Sequence, residues 1–159
     1  MIKGKLLLFS CFALLFCACK KDSGSKDGAA SSWTFGGITY SAETVVVDNS
    51  SGQTSLSASA FAGRSGPKGG LSFLFATPPV SNGQMLITNS GLPNTVGVGV
   101  STLSGTTTTY YINRETNVNA NITITNGKVS VSFPGAIWMH NLANSADSVQ
   151  LSIGTITQQ

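Results

Sequence analysis

Hydrophobic positions in this chain recur every second residue. Val96, Val98 and Val100 fall on one face of an extended segment, and Gly97, Gly99 and Ser101 on the other. The same parity runs through Val118, Ala120, Ile122 and Ile124, through Val129, Val131 and Phe133, and through Val149, Leu151 and Ile153. Successive side chains of a strand point to opposite sheet faces, so each run predicts a short strand with one buried face. A wealth of Val, Ile, Thr, Tyr and Phe agrees with that reading. No window from Ser32 to Gln159 carries a helical stripe; the nearest candidate, around Asn141 to Ser148, is short and full of turn residues.

Turn chemistry divides the strands. Asn126-Gly127 joins two of the alternating runs, and both residue types accept the positive φ that a type I′ hairpin turn demands. Gly36-Gly37, between Trp33-Thr34-Phe35 and Ile38-Thr39-Tyr40, predicts a second hairpin. Asp48-Asn49-Ser50-Ser51-Gly52, Arg64 to Gly70 and Ser81-Asn82-Gly83 punctuate the strands between. The expected architecture is all-β: an antiparallel β-sandwich of roughly nine or ten short strands, with a small closed β-barrel as the alternative.

The first hydrophobic run is different in kind. Leu6 to Phe16 follows Lys3 and Lys5, and roughly 11 residues at about 1.5 Å each give about 16 Å of helix against a hydrocarbon core of about 30 Å. That is too short to span a membrane and fits a cleaved targeting segment. Leu15-Phe16-Cys17-Ala18-Cys19 then resembles a bacterial lipobox, with small Ala18 before the cleaved bond and Cys19 as the acceptor. Phe16 and Cys17 depart from the commonest form, and Cys17 is the poorer acceptor because bulky Phe16 would precede it. The resemblance implies a signal peptide over residues 1–18 and diacylglycerol, with further acyl chains such as palmitate, on Cys19. Two or more chains anchor a protein stably, at about 0.8 kcal/mol per buried CH₂.

Residues 19–31 follow, with Lys20-Lys21-Asp22-Ser23-Gly24-Ser25-Lys26-Asp27-Gly28 small, charged and without apolar periodicity, and read as a flexible tether. Their charges resemble the short export tags of Bacteroidota surface lipoproteins. Residues 32–159 are enough for one domain with a single core. The excess positive charge of the chain belongs to the leader and tether: in 32–159, Arg64, Lys68, Arg114 and Lys128 balance Glu43, Asp48, Glu115 and Asp147. Without a basic stripe, nucleic acid is not an expected partner. All three cysteines, Cys11, Cys17 and Cys19, lie in or beside the leader, which leaves the domain without a disulfide, zinc-thiolate cluster or thiol nucleophile.

Candidate chemistry in the domain is sparse. His140 is the single histidine, too few for a typical zinc site, and is expected to be a hydrogen-bonded residue at a strand end. Asp147 lies seven positions on, but no Gly-x-Ser-x-Gly elbow supports a Ser-His-Asp triad. Glu43, Asp48, Glu115 and Asp147 are scattered, which disfavours both a glycosidase carboxylate pair and a calcium loop. Asp48 and Asp147 are expected to bond backbone N–H groups in their turns. Gly66-Pro67-Lys68-Gly69-Gly70 lacks P-loop spacing and reads as an inter-strand loop. Thr106-Thr107-Thr108-Thr109-Tyr110-Tyr111 reads as a β-branched strand. No catalytic residue, metal or cofactor is therefore assigned, and the domain is expected not to be an enzyme.

Aromatic residues supply the one binding cue. Tyr110, Tyr111 and Trp138 are candidates for stacking on a ligand, and Tyr110 and Tyr111 must point to opposite sides of their strand. Against this, tryptophans in a domain of this size usually fill the core, the expected place of Trp33 and Trp138. The segments Trp33 to Ala42, Ile122 to Val129 and Val149 to Ile156 together resemble uncharacterised small β-sandwich lipoproteins of the Bacteroidota. That resemblance implies architecture and address, at the bacterial outer membrane or cell surface, and carries over no active site. The expected function is a membrane-anchored, non-catalytic envelope module that binds a glycan or an envelope protein. A structural or assembly lipoprotein without a small ligand is the alternative, and an envelope hydrolase the weakest reading.

Overall fold

A computed structural model describes residues 30–50, 53–60, 67–114 and 117–159. The expected signal segment, Cys19 and the tether as far as residue 29 lie outside the described residues, as do Arg64 and Glu115.

The domain is all-β. Its strands are β1 (Ser32–Phe35), β2 (Ile38–Ser41), β3 (Thr44–Asp48), β4 (Thr54–Ala60), β5 (Lys68–Phe75), β6 (Gly83–Ile87) and β7 (Thr95–Ser104). They continue as β8 (Thr107–Asn113), β9 (Asn119–Thr125), β10 (Lys128–Ser132), β11 (Ala136–Asn141), β12 (Ser148–Ile153) and β13 (Ile156–Thr157). Among the described residues, thirteen strands stand where nine or ten were expected. The surplus consists of short pieces, down to the two residues of β13, that carry too few positions to show a period.

The two predicted hairpin turns hold; of the other turn segments, residues 51–52 and 64–66 lie outside the described residues and Gly83 opens β6. Asn126 and Gly127 have φ of 53° and 75°, and Gly36 and Gly37 of 58° and 78°, each pair closing a two-residue hairpin. A third such link, Gly105-Thr106, joins β7 to β8, so Thr106 belongs to a turn and the strand starts at Thr107. Two boundaries move. Ser31, read as tether, is buried: its carbonyl accepts from Ala42 N at 2.8 Å and its hydroxyl from Thr157 N at 3.0 Å. Lys68, Gly69 and Gly70, read as loop, open β5. Gly69 faces the core beneath the Tyr40 ring, where a Cβ would lie 2.9 Å from Tyr40 Cε1 and 2.6 Å from the Ser101 carbonyl oxygen.

One continuous strand order runs β13-β10-β9-β6-β7-β8-β11-β12-β1-β2, and β5, β4 and β3 branch off from β7. The sheet is mixed and does not close into a barrel, which sets aside the barrel alternative; the layering is consistent with a β-sandwich. All pairings are antiparallel except β6 with β7, where Leu86 meets Thr95 and Ile87 meets Val96. A wholly antiparallel sandwich was expected, and the exception arises in the seven-residue return between these strands. There Gly91 and Asn94 take positive φ, and Thr95 Oγ1 donates to the Leu92 carbonyl at 2.6 Å. The loop is too tight for a helix, so only two residue pairs form.

At β7 the sheet divides. One edge of β7 pairs with β5 from Val96 to Leu103; the other pairs with β6 at Thr95 and Val96 and with β8 from Gly99 onward. Val98 falls between, and its N–H donates 2.7 Å to Oδ1 of Asn113, a buried side chain at the end of β8. Asn113 Nδ2 in turn donates to the Arg114 carbonyl at 2.8 Å, while Asn89 Nδ2 donates to the Asn113 carbonyl. A side-chain amide thus supplies the acceptor that no strand offers at the fork.

Inward positions from every part of this sheet meet in one core that includes Leu56, Phe73, Ile87, Val98, Val131, Met139 and Leu151. Trp33 is 1% exposed and stacks on its cross-strand neighbour Tyr40 with ring centres 5.2 Å apart, a parallel pair joining β1 to β2.

Candidate functional site

Along their middle stretch, three adjacent strands carry only serine and glycine on their outward side. At the middle of the three strands the outward positions are Ser55, Ser57 and Ser59 on β4, Gly70 and Ser72 on β5, and Gly97, Gly99 and Ser101 on β7, with Leu74 at one end of the β5 row and Lys68, opposite Leu103, at the other. Register places Ser57, Ser72 and Gly99 in one row, and Ser59, Gly70 and Ser101 in the next. Because side chains at facing positions of paired strands stand on the same face, these rows form a low floor. Ser72 holds it down: its hydroxyl donates to the Gly99 carbonyl at 3.4 Å, and a Cβ on Gly99 would come within 2.9 Å of that oxygen.

The next strands raise a wall. Ile112 on β8 faces Gly99 and Tyr110 faces Ser101, and Leu142, whose N–H donates to the Tyr110 carbonyl at 3.0 Å, stands beyond them. Tyr110 is 57% exposed and Leu142 61%. Floor and wall enclose an open trough of about 420 Å³. From Ser57 on β4 to Ile112 on β8 it spans three inter-strand steps, about 14 Å at roughly 4.8 Å each. Among the described residues, none of its lining side chains is acidic or basic.

The three aromatic candidates separate. Tyr110 lines the trough. Trp138 lies on the same outward face, two positions before His140, which register sets opposite Ile112; it is 53% exposed rather than in the core. The reason is parity: Ile137 and Met139 point inward, which sends Trp138 out. Trp33 does fill the core. Tyr111 points to the inner side, packs edge-on against Phe35 with ring centres 4.8 Å apart, and directs its hydroxyl at Asp147 Oδ2, 3.4 Å away. Its ring is thus engaged by the protein itself on the inner side. Burial pushes the Tyr111 hydroxyl above the usual tyrosine value, and the Asp147 charge and hydrogen bond push the same way.

His140 sits near the end of β11 with Nδ1 3.3 Å from the Ser145 carbonyl, which can only accept, so the proton is on Nδ1. Arg114 Nη2 donates to that carbonyl at 3.1 Å. Asp48 binds its turn as expected, accepting from Ser50 N at 2.9 Å and Ser50 Oγ at 3.0 Å. Asp147 departs from expectation: its carboxylate accepts from side chains, Asn141 Nδ2 at 3.1 Å and the Tyr111 hydroxyl, while its own backbone closes the turn onto Asn144. Among the described residues no three of His, Cys, Asp and Glu gather into a group fit to hold a metal.

The serine-glycine floor, Ile112 and Leu142 were not singled out from the sequence. The signal existed strand by strand as the small partners of the alternation, but only pairing shows that β4, β5 and β7 lie side by side. Comparison with protein-family models, curated proteins and solved structures found no match.

Proposed function

We propose that this chain is a lipid-anchored bacterial envelope protein whose β-domain is a non-catalytic binding module, with the trough on the outward face of β4, β5, β7 and β8 as its recognition surface. The observation that carries the reading is the pairing of an exposed apolar wall, Tyr110, Ile112 and Leu142, with a floor of hydroxyls. Ligand sites are concave, largely apolar and marked by a few polar groups that set orientation, and this trough has that make-up at the small end of the usual range. The lining chemistry offers contact and hydrogen bonding rather than a nucleophile with a base.

The address rests on the lipobox-like segment ending at Cys19. Labelled palmitate fed to expressing cells should enter the wild-type chain and not Cys19→Ser; equal incorporation in both would remove the acceptor assignment. For the domain, Tyr110→Ala and Leu142→Asp should each weaken saturable binding of whatever the module recognises at least tenfold while leaving thermal unfolding in place. Turnover lost in His140→Ala would instead make it an enzyme. A structural or assembly lipoprotein is the second reading, favoured by Val46 and Leu74, exposed on the same outward face beyond the trough, which broaden it toward the size of a protein contact.

A further inference from the structure

We infer that the ligand of the trough is a short neutral oligosaccharide, an inference that rests on the trough being the binding surface proposed above. The polar groups it offers are side-chain hydroxyls, Ser57, Ser59, Ser72 and Ser101 on the floor. Ser72 Oγ already donates to the Gly99 carbonyl and so is left to accept, and Ser59 Oγ shares a 2.6 Å bond with Thr44 Oγ1, while the Ser57 and Ser101 hydroxyls can both donate and accept, as those of a sugar do. The backbone beneath is committed to the ladders joining β4, β5, β7 and β8, so the face has little to give an extended peptide, which binds by adding a strand at a sheet edge.

Charge narrows the class further. With no acidic or basic side chain lining the trough among the described residues, an ionised phosphate, sulfate or uronate group would lose hydration there without a counter-charge in the lining, Lys68 standing on the same face but beyond it. A neutral glycan loses only hydroxyl hydration, which the serines can restore. The wall completes the match: a sugar ring has an apolar C–H face, and the half-exposed Tyr110 ring provides the flat apolar surface that such a face stacks on. An open span of about 14 Å suits an oligosaccharide lying along the face rather than a single sugar end-on.

The test uses the full chain in detergent micelles, titrated with a panel of neutral oligosaccharides of two to six units covering common hexose, pentose and N-acetylhexosamine linkages. Acidic oligosaccharides and uncharged peptides serve as comparators, and binding is read by calorimetry and amide chemical-shift mapping. At least one neutral member should bind saturably, shifting amides of β5, β7 and β8. Tyr110→Ala should weaken it at least tenfold, Ser101→Leu, which fills the floor, should abolish it, and Val80→Ala, in a separate exposed loop, should leave it unchanged, all three unfolding at the wild-type temperature. Peptide binding that is lost in the trough variants, with no sugar bound, would overturn the sugar class while sparing the trough. Sugar binding indifferent to both trough variants would overturn the trough and the inference with it. No saturable binding to any neutral member, or tighter binding of the acidic ones, would overturn the inference as well.

Discussion

Asn113→Leu, which keeps the branching of the side chain, should make this domain unfold far more readily. Asn113 Oδ1 is the acceptor for Val98 N–H where one edge of β7 passes from β6 to β8, at a distance of 2.7 Å and with Asn113 1% exposed. Leucine has the same branching, is larger and offers no acceptor, so a backbone donor is left buried and unpaired, at a cost of about 1–3 kcal/mol. The bond from Asn113 Nδ2 to the Arg114 carbonyl is lost too, worth about another 0.5–1 kcal/mol where the carbonyl can partly recover water. Together these give about 1.5–4 kcal/mol, or a fall in Tm of roughly 6–16 °C for a domain of this size. Urea unfolding followed by tryptophan fluorescence measures the energy, and hydrogen exchange at the Val98 amide locates it. A Tm within about 2 °C of wild type, with Val98 still protected, would refute the assignment of the fork to this amide.

Two further outcomes follow from the packing. Gly69→Ala should cost about 1–3 kcal/mol in chemical denaturation, because the new Cβ meets the Ser101 carbonyl and the Tyr40 ring inside the core, whereas Gly83→Ala, with open space around it, should stay within about 0.5 kcal/mol. Stability should also fall at alkaline pH: burial holds the Tyr111 and Tyr40 hydroxyls above their unfolded value of 10.0, so the native state keeps protons that the unfolded chain releases. The stabilisation is intact below that value and is lost as pH rises through the native ones. Tyr111→Phe should flatten this decline, as read by thermal melts at stepped pH.

Much of the fold was legible because a strand's parity is local. Val96, Val98 and Val100 had to face one way and Gly97, Gly99 and Ser101 the other, whatever the partners turned out to be. The Asn126-Gly127 turn was legible for a similar reason: φ of 53° and 75° are demands on two residues alone. Trp138 shows where a local signal was present and outweighed. The alternation of Ile137 and Met139 around it already directed it outward, and the general tendency of tryptophan to be buried pointed the wrong way. The fork could not be read, since Asn113 and Val98 are brought together by the β7–β8 hairpin and nothing near Asn113 in the chain distinguishes a buried acceptor from a loop amide.

By itself, the sequence determined an all-strand domain, the inward and outward sides of its main strands and the places of its tightest turns, because φ preference and side-chain alternation act within a few residues. Only the tertiary structure decided that β4, β5 and β7 lie edge to edge with their small side chains aligned, and that β8 and the turn after β11 bring Tyr110, Ile112 and Leu142 up beside them. Strand order depends on which of many possible hydrogen-bonded neighbours gives the best-buried core, a balance struck over the whole chain. A trough made of side chains from five segments exists only once that balance has been struck.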